Sequence, residues 1–128
     1  MGYKLGKRSL ERLKGVHPDL VAVVHDAIKI TPIDFTVLEG KRTVERQKAL
    51  YESGATRTLN SRHLTGHAVD IAPIHEGKVS WHWPHYDLVE VAMKTAARQR
   101  GVDIEWGGDW TTFKDGPHWQ LSWRKYPT

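Results

Sequence analysis

With 128 residues, a formal charge of +4 and no cysteine, the chain has the length of one domain, and we expect a single domain over residues 1–128. The lack of cysteine excludes disulfide bonds and thiolate metal ligands, and the scattered basic residues favour a solvated surface over a nucleic-acid site. No apolar run follows the charges of the amino terminus and no stretch approaches about 18 apolar residues, so we expect neither a signal peptide nor stable membrane association.

The first half of the chain alternates between helical and strand patterns. A helix is predicted from about Pro18 to Ile30, because proline suits a first helical position and apolar residues follow at helical spacing. Two-residue alternation predicts a strand over Asp34–Glu39, and a helix follows over about Thr43–Glu52. Alternation resumes over His67–Ala72, with Asp70 on the face opposite its immediate neighbours.

The second half continues with an exposed hairpin-like loop over Ile74–Trp83 and a long helix over Pro84–Arg100. Short strands are predicted at Ile104–Trp106 and His118–Ser122, joined by a loop rich in glycine and aspartate. These elements together predict a small α+β domain in which helices pack on one side of an antiparallel sheet.

The most specific pattern lies in two separate segments, Ser61-Arg-His-Leu-Thr-Gly-His-Ala-Val-Asp70 and Asp115-Gly-Pro-His-Trp119. His63, Asp70 and His118 are candidate metal ligands. Their nitrogen and oxygen donors suit zinc, and a set of three protein ligands leaves a fourth tetrahedral position open, which is the catalytic pattern. An extended chain would separate His63 from Asp70 by more than about 20 Å, so the chain has to turn at Thr65–Gly66.

Asp115 is the candidate general base, three residues before His118. Its alternative interpretation is a turn residue, since aspartate before glycine is common for conformational reasons. His67 lies an odd step from Asp70 and is interpreted as structural. His82 and His85 have a helical spacing, but the proline between them argues against a continuous helix and a second metal site there.

The pattern Ser-x-His-x-x-Gly-x-Ala-x-Asp with a late Asp-x-x-His-Trp resembles the M15 family of zinc peptidases, which includes D-Ala-D-Ala carboxypeptidases, dipeptidases and phage L-alanyl-D-glutamate endopeptidases. The segments from Asp34 to Leu50 and from Trp106 to Trp110 agree with it. The resemblance is closest to the short phage endolysins. Asp115 matches that branch, since most other relatives carry glutamate there.

The resemblance implies a hedgehog/D-Ala-D-Ala peptidase-like fold and a zinc cofactor. It also implies that Arg42 binds the developing oxyanion or substrate carboxylates, the alternative being a solvated surface arginine. Gln47 is expected to support Arg42, and Ser61 to bind substrate or orient the loop of His63. Asp109 is interpreted either as a partner of a ligand imidazole or as a turn residue.

The expected function is that of a phage-type endolysin, a zinc-dependent endopeptidase that cuts the L-Ala–D-Glu bond of the peptidoglycan stem peptide and lyses the cell wall. The alternatives are a D-Ala-D-Ala carboxypeptidase or dipeptidase, and a zinc-binding module without catalysis. We expect a monomer without a separate wall-binding domain whose partner is bacterial peptidoglycan. It would remain in the host cytoplasm until a holin-type pore protein releases it to the periplasmic wall.

Overall fold

A computed structural model describes residues 2–128. Its helices and strands follow the chain in the order α1 Lys7–Arg12, α2 Pro18–Ile30, β1 Phe35–Glu39, α3 Val44–Glu52, β2 Ala68–His75, β3 Lys78–Val79, α4 Trp83–Arg100, β4 Ile104–Trp106 and β5 His118–Leu121. Two 3-10 turns, Arg62–Thr65 and Gly107–Asp109, precede β2 and β5. The predicted α+β class with an antiparallel sheet is confirmed.

The sheet has the strand order β1-β2-β5-β4, and every neighbouring pair is antiparallel. Strand β3 pairs with the end of β2 through a hairpin in which His75 lies opposite Lys78. The two turn residues, Glu76 and Gly77, both have positive φ, which is the backbone of a tight hairpin turn. The expected loop over Ile74–Trp83 is therefore partly a hairpin.

The hydrophobic core lies between one face of the sheet and the helices α2 and α4. Val69 and Ile71 of β2 and Trp119 and Leu121 of β5 are fully buried members of this core. Because side chains alternate along a strand, the residues between them point to the opposite face. We call that opposite face, which carries Asp70, His118 and Gln120, the site face.

A β-bulge changes the direction of one side chain in β1. The register pairs Val37 with Ile71 but Glu39 with Asp70, so Leu38 is the extra residue. Simple alternation places Glu39 on the same face as Val37, whereas the bulge turns its side chain toward the site face. The expected alternation over Asp34–Glu39 is therefore wrong at its last residue.

Two helix starts differ from the sequence expectations. Helix α1 was not predicted, because Ser9 is its one buried residue and polar contacts attach it to β1, including a 3.1 Å hydrogen bond between Ser9 Oγ and Thr36 Oγ1. Helix α4 begins at Trp83, so Pro84 occupies its first turn. The start is one residue before the predicted one, and His82 lies outside the helix, so the prediction that no continuous helix joins His82 to His85 is confirmed. No helix within residues 2–128 is long and apolar enough to cross a membrane.

Candidate metal centre and cleft

The Asp70 carboxylate and the His118 imidazole meet because the antiparallel register of β2 and β5 places them opposite each other. Their neighbours Val69 and Trp119 point into the core, so both polar side chains project from the site face. Asp70 Oδ1 lies 3.5 Å from His118 Nδ1.

The 3-10 turn Arg62–Thr65, which precedes β2, folds the chain back so that His63 lies close to Asp70 of that strand. The hydroxyl of Ser61 accepts a 3.2 Å hydrogen bond from the backbone N–H of His63 at its start. Gly66 ends the turn at φ +77, where a Cβ would approach a backbone oxygen of the neighbouring loop to 2.3 Å. Only glycine fits this position. His63 Nε2 consequently lies 3.2 Å from Asp70 Oδ1.

The second nitrogen of each imidazole has a protein acceptor. His63 Nδ1 lies 2.8 Å from the carbonyl oxygen of Gly40, and His118 Nε2 lies 2.7 Å from Gln120 Oε1. Because these oxygens only accept, the two nitrogens carry the hydrogens. In the neutral imidazoles, His63 Nε2 and His118 Nδ1 therefore direct lone pairs toward Asp70.

The three donor atoms fit a small metal ion. They lie within 4.8 Å of one another, and they are the one group of three such side chains that does so within residues 2–128. Tetrahedral zinc with ligands at about 2.0–2.1 Å places neighbouring donors about 3.3–3.4 Å apart. The separations of 3.2 Å and 3.5 Å from the Asp70 oxygen match that spacing. Nitrogen and carboxylate donors suit zinc among several divalent ions.

The charges of the site also favour a cation. Burial alone would raise the pKa of Asp70, but His118 and His63, which donate hydrogen bonds to the carboxylate when they are protonated, hold that pKa well below its ordinary value. Burial would lower the pKa of His118, but the bond to Asp70 outweighs it and raises that pKa. The carboxylate therefore remains charged and draws positive charge to its neighbours, as protons or as a metal ion.

Arg42 lies next to Asp70 of this donor set and is 9% exposed. Its Nη1 donates to Gln47 Oε1 at 2.7 Å, and its Nη2 donates to Glu39 Oε1 at 2.7 Å. The same Nη2 lies 3.6 Å from Asp70 Oδ2, the oxygen that faces away from the imidazoles. Both Nη atoms of the guanidinium thus have protein partners. These contacts hold the guanidinium beside Asp70, where it can position the carboxylate. The solvated surface interpretation of Arg42 is wrong.

Gln47 and Ser61 occupy supporting positions. Gln47 is 1% exposed, and besides accepting from Arg42 its Nε2 donates to the carbonyl oxygen of Thr58 at 2.6 Å. This side chain therefore ties Arg42 to the loop that precedes the metal centre. Ser61 lines the cleft and orients His63 through the backbone, as one of its two sequence interpretations has it.

Asp115 lies in the turn before β5 and lines the same cleft as His118. The turn is made by the backbone, since the N–H of Asp115 donates to Gly107 at 3.0 Å and the N–H of His118 donates to the Asp115 carbonyl at 3.2 Å. Burial raises the pKa of the Asp115 side chain, and the charge of Asp70 raises it further. A carboxylate with a raised pKa beside a metal centre suits a general base.

Gln120 is a supporting residue that the sequence interpretation missed. Its Oε1 accepts from His118, and its Nε2 donates to Glu105 Oε1 at 2.8 Å across the β4–β5 pair. The bond to Glu105 fixes the amide so that oxygen faces the imidazole. The alternation of β5 is the signal that identifies it, because the residue two after His118 shares the site face.

Asp109 does not contact the donor set. Its Oδ2 accepts a 2.7 Å hydrogen bond from Lys94 Nζ, and its side chain is 54% exposed. The imidazole partners are instead Gly40 and Gln120. The interpretation of Asp109 as a ligand partner is therefore not supported, and a surface ion pair takes its place.

A cleft of about 460 Å³ opens beside the candidate metal centre. Ser61, Asp115 and His118 line this cleft together with residues from the loop 56–60 and from the segment 110–113. The cleft gives an extended substrate direct access to the candidate base and to one candidate ligand. A donor set of two imidazoles and one carboxylate, with a second carboxylate at an open cleft, is typical of metal-dependent hydrolases.

The comparison with protein families agrees with this class. The model of the phage L-alanyl-D-glutamate peptidase family matches residues 1–121, and the chain belongs to that family. The resemblance to phage L-alanyl-D-glutamate endopeptidases and the expectation of an enzyme are thereby confirmed.

Individual relatives include phage and bacterial proteins. The chain is 33% identical over 119 residues to the L-alanyl-D-glutamate peptidase of Escherichia phage T5, covering 90% of this chain and 87% of that protein. It is 36% identical over 96 residues to the peptidase of the same name from Listeria phage A118, covering 75% of this chain but 33% of that protein. The crystal structure of the Serratia marcescens L-Ala D-Glu endopeptidase ChiX has a TM-score of 0.92 and 48% identity, and the match covers 98% of this chain and 95% of that one.

Proposed function

We propose that the protein is a zinc-dependent endopeptidase that hydrolyses the L-Ala–D-Glu bond of the peptidoglycan stem peptide. The observation that carries this proposal is the donor set of His63, Asp70 and His118 beside Asp115 at an open cleft. The names of the relatives supply the identity of the bond.

When bound by the donor set, zinc would polarise the scissile carbonyl and lower the pKa of water toward about 7. Asp115 accepts a proton at its carboxylate from the attacking water, whose oxygen forms a bond to the carbonyl carbon of L-alanine. The C–N bond to D-glutamate then breaks, and Asp115 passes the proton to the departing amine nitrogen. The carboxylate is thereby regenerated for the next cycle.

The surrounding residues hold this arrangement in place. Arg42 binds Glu39 and lies 3.6 Å from Asp70 Oδ2, and we assign it to positioning Asp70. Gln120 fixes the orientation of the His118 ring by accepting a hydrogen bond from the His118 Nε2–H. These contacts hold two of the three donor side chains, Asp70 and His118, in place.

The phage relatives suggest a biological setting for the proposal. We propose that the protein acts as a monomer on bacterial peptidoglycan, which it reaches from the host cytoplasm through a separate holin-type pore protein.

Mass spectrometry of the fragments released from purified sacculi tests the proposed reaction. We expect products with a new carboxyl group on L-alanine and a new amino group on D-glutamate, and we expect chelation to stop their release until zinc is restored. Release of terminal D-alanine alone would indicate a carboxypeptidase. A zinc-loaded protein that releases nothing from sacculi of several wall chemistries would indicate a binding module.

A further inference from the structure

The substrate of the proposed reaction carries a negative charge beside the scissile bond. A glutamyl residue has two carboxyl groups, and only one of them continues the peptide chain, so the other is a free carboxylate close to the scissile bond. That carboxylate has to enter a cleft that already contains the carboxylate of Asp115. A cation in the cleft wall would offset this repulsion and would distinguish glutamate from uncharged residues.

Two of the residues that line the cleft are arginines, Arg57 and Arg62. Arg62 is 3% exposed, and its Nη2 donates to backbone carbonyls near the carboxyl terminus, including that of Leu121 at 2.9 Å. Its role is structural. Arg57 is exposed, and within residues 2–128 it forms no ion pair with a carboxylate. Of the two arginines, it is the one that is free to bind a ligand anion.

The Arg57 guanidinium is held over an aromatic ring. Its Cζ lies 4.4 Å from the centroid of the Phe113 ring, within the range of a cation–π interaction. A planar guanidinium that stacks on a ring keeps its edge free for hydrogen bonds in the plane, which is the geometry that a carboxylate accepts. The stacking also removes part of the rotamer freedom that an exposed arginine would lose on binding.

Phe113 itself adopts an uncommon conformation. Its φ is +50, in the left-handed region that a bulky residue rarely adopts, and its side chain remains 44% exposed. An exposed aromatic residue in a strained backbone conformation gains little from core packing, and such strain is concentrated at functional sites. Phe113 lies two residues before Asp115, so the ring that Arg57 stacks on and the candidate base belong to the same short segment.

We propose that Arg57, stacked on Phe113, binds the free carboxylate of the D-glutamyl residue and makes the enzyme selective for glutamate beside the scissile bond. This inference rests on the proposed function. It assigns Arg57 to substrate recognition, separate from the metal centre and from proton transfer.

Two synthetic peptides test this assignment. They contain the same L-alanyl-D-glutamyl bond and differ only in whether the free carboxyl group of the glutamyl residue is a carboxylate or a primary amide. The zinc-loaded wild-type protein should cleave the carboxylate peptide with the higher kcat/KM. Arg57→Gln should lower kcat/KM for the carboxylate peptide by about 10- to 100-fold, the value of a hydrogen bond to a charged group, and should leave the amide peptide nearly unchanged.

Matched variants separate this effect from a general loss of charge or structure. Arg8→Gln removes an exposed arginine on α1 outside the cleft, and it should change neither peptide's kinetics. Phe113→Leu removes the ring but keeps an apolar side chain, and it should reduce the preference for carboxylate by a smaller factor than Arg57→Gln. Binding of both peptides to metal-depleted protein gives a second readout, in which Arg57→Gln should weaken the affinity for the carboxylate peptide alone.

The outcomes distinguish this inference from the proposed function. If wild-type protein cleaves both peptides equally and Arg57→Gln retains that equality, the recognition role of Arg57 is wrong while the endopeptidase activity stands. An equal loss on both peptides would show that Arg57 stabilises the loop and does not select the charge. If the wild-type protein cleaves neither peptide nor sacculi, the proposed function fails and the inference fails with it.

Discussion

Replacement of Asp115 by alanine separates proton transfer from metal binding. The turn around this residue is formed by backbone hydrogen bonds, from Asp115 to Gly107 and from His118 to Asp115. The side chain is not a member of the donor set. We therefore expect Asp115→Ala to fold and to bind zinc as the wild-type protein does.

The expected loss of rate follows from the role of a positioned base. Such a group contributes about 100- to 10,000-fold, which corresponds to about 2.7–5.5 kcal/mol of transition-state stabilisation. Burial and the charge of Asp70 raise the pKa of Asp115 above 3.8, and only the deprotonated side chain accepts a proton. Activity of the wild-type protein should therefore fall as the pH decreases through this raised pKa, and the variant should lose that part of the acid limb.

Three measurements on the same preparations give a clear result. Release of peptide from sacculi gives the rate, metal analysis gives the zinc content, and circular dichroism reports the fold. Asp109→Ala is a suitable control, because it removes an exposed carboxylate that pairs with Lys94. An Asp115→Ala protein with full activity and an unchanged pH profile would refute the assignment of the base. A variant that loses its zinc would show that Asp115 acts on the metal centre.

Metal analysis of alanine variants should show loss of zinc for each member of the donor set, whereas His82→Ala and His85→Ala should retain it. Full retention in all donor variants would refute the site. Arg42→Ala should lower turnover by about 10- to 100-fold and should lower zinc content less, because the guanidinium positions Asp70 without being a ligand; unchanged kinetics would contradict this role. Gln120→Leu should weaken zinc affinity by about 10- to 100-fold in a chelator competition, because it leaves the His118 Nε2–H without its acceptor; an unchanged affinity would exclude that contribution.

Sequence periodicity predicted the scaffold where apolar residues determine the structure. The predicted helix from Pro18 to Ile30 has the same bounds in the structure, because proline starts it and its apolar face packs into the core. The turn at Thr65–Gly66 was predictable once His63 and Asp70 were assigned to one metal ion, because an extended chain would hold these two residues too far apart. The donor set was predictable from the donor chemistry of its side chains together with the resemblance of both segments to the M15 pattern.

The features that were not predictable depend on contacts between distant parts of the chain. Helix α1 has almost no apolar face and is held by polar bonds to β1. The contact of Arg42 with Glu39 depends on the bulge at Leu38, which no local pattern indicates, whereas its contact with Gln47 was expected from the sequence. The pairing of Asp109 with Lys94 depends on the approach of α4 to the turn at Gly107–Asp109. Propensity and alternation describe single segments and contain no information on such approaches.

The geometry of the metal centre is a consequence of how the core packs. Antiparallel pairing places Glu39, Asp70 and His118 in one row across β1, β2 and β5, and the alternate residues Val69 and Trp119 are fully buried on the other face. A slip of one residue between β2 and β5 would exchange the two faces, burying charged groups and exposing apolar ones. The free energy that fixes the hydrophobic register therefore also fixes the distance between the Asp70 carboxylate and the His118 imidazole. The resulting separation of 3.5 Å between Asp70 Oδ1 and His118 Nδ1 is close to the donor spacing of a tetrahedral zinc site.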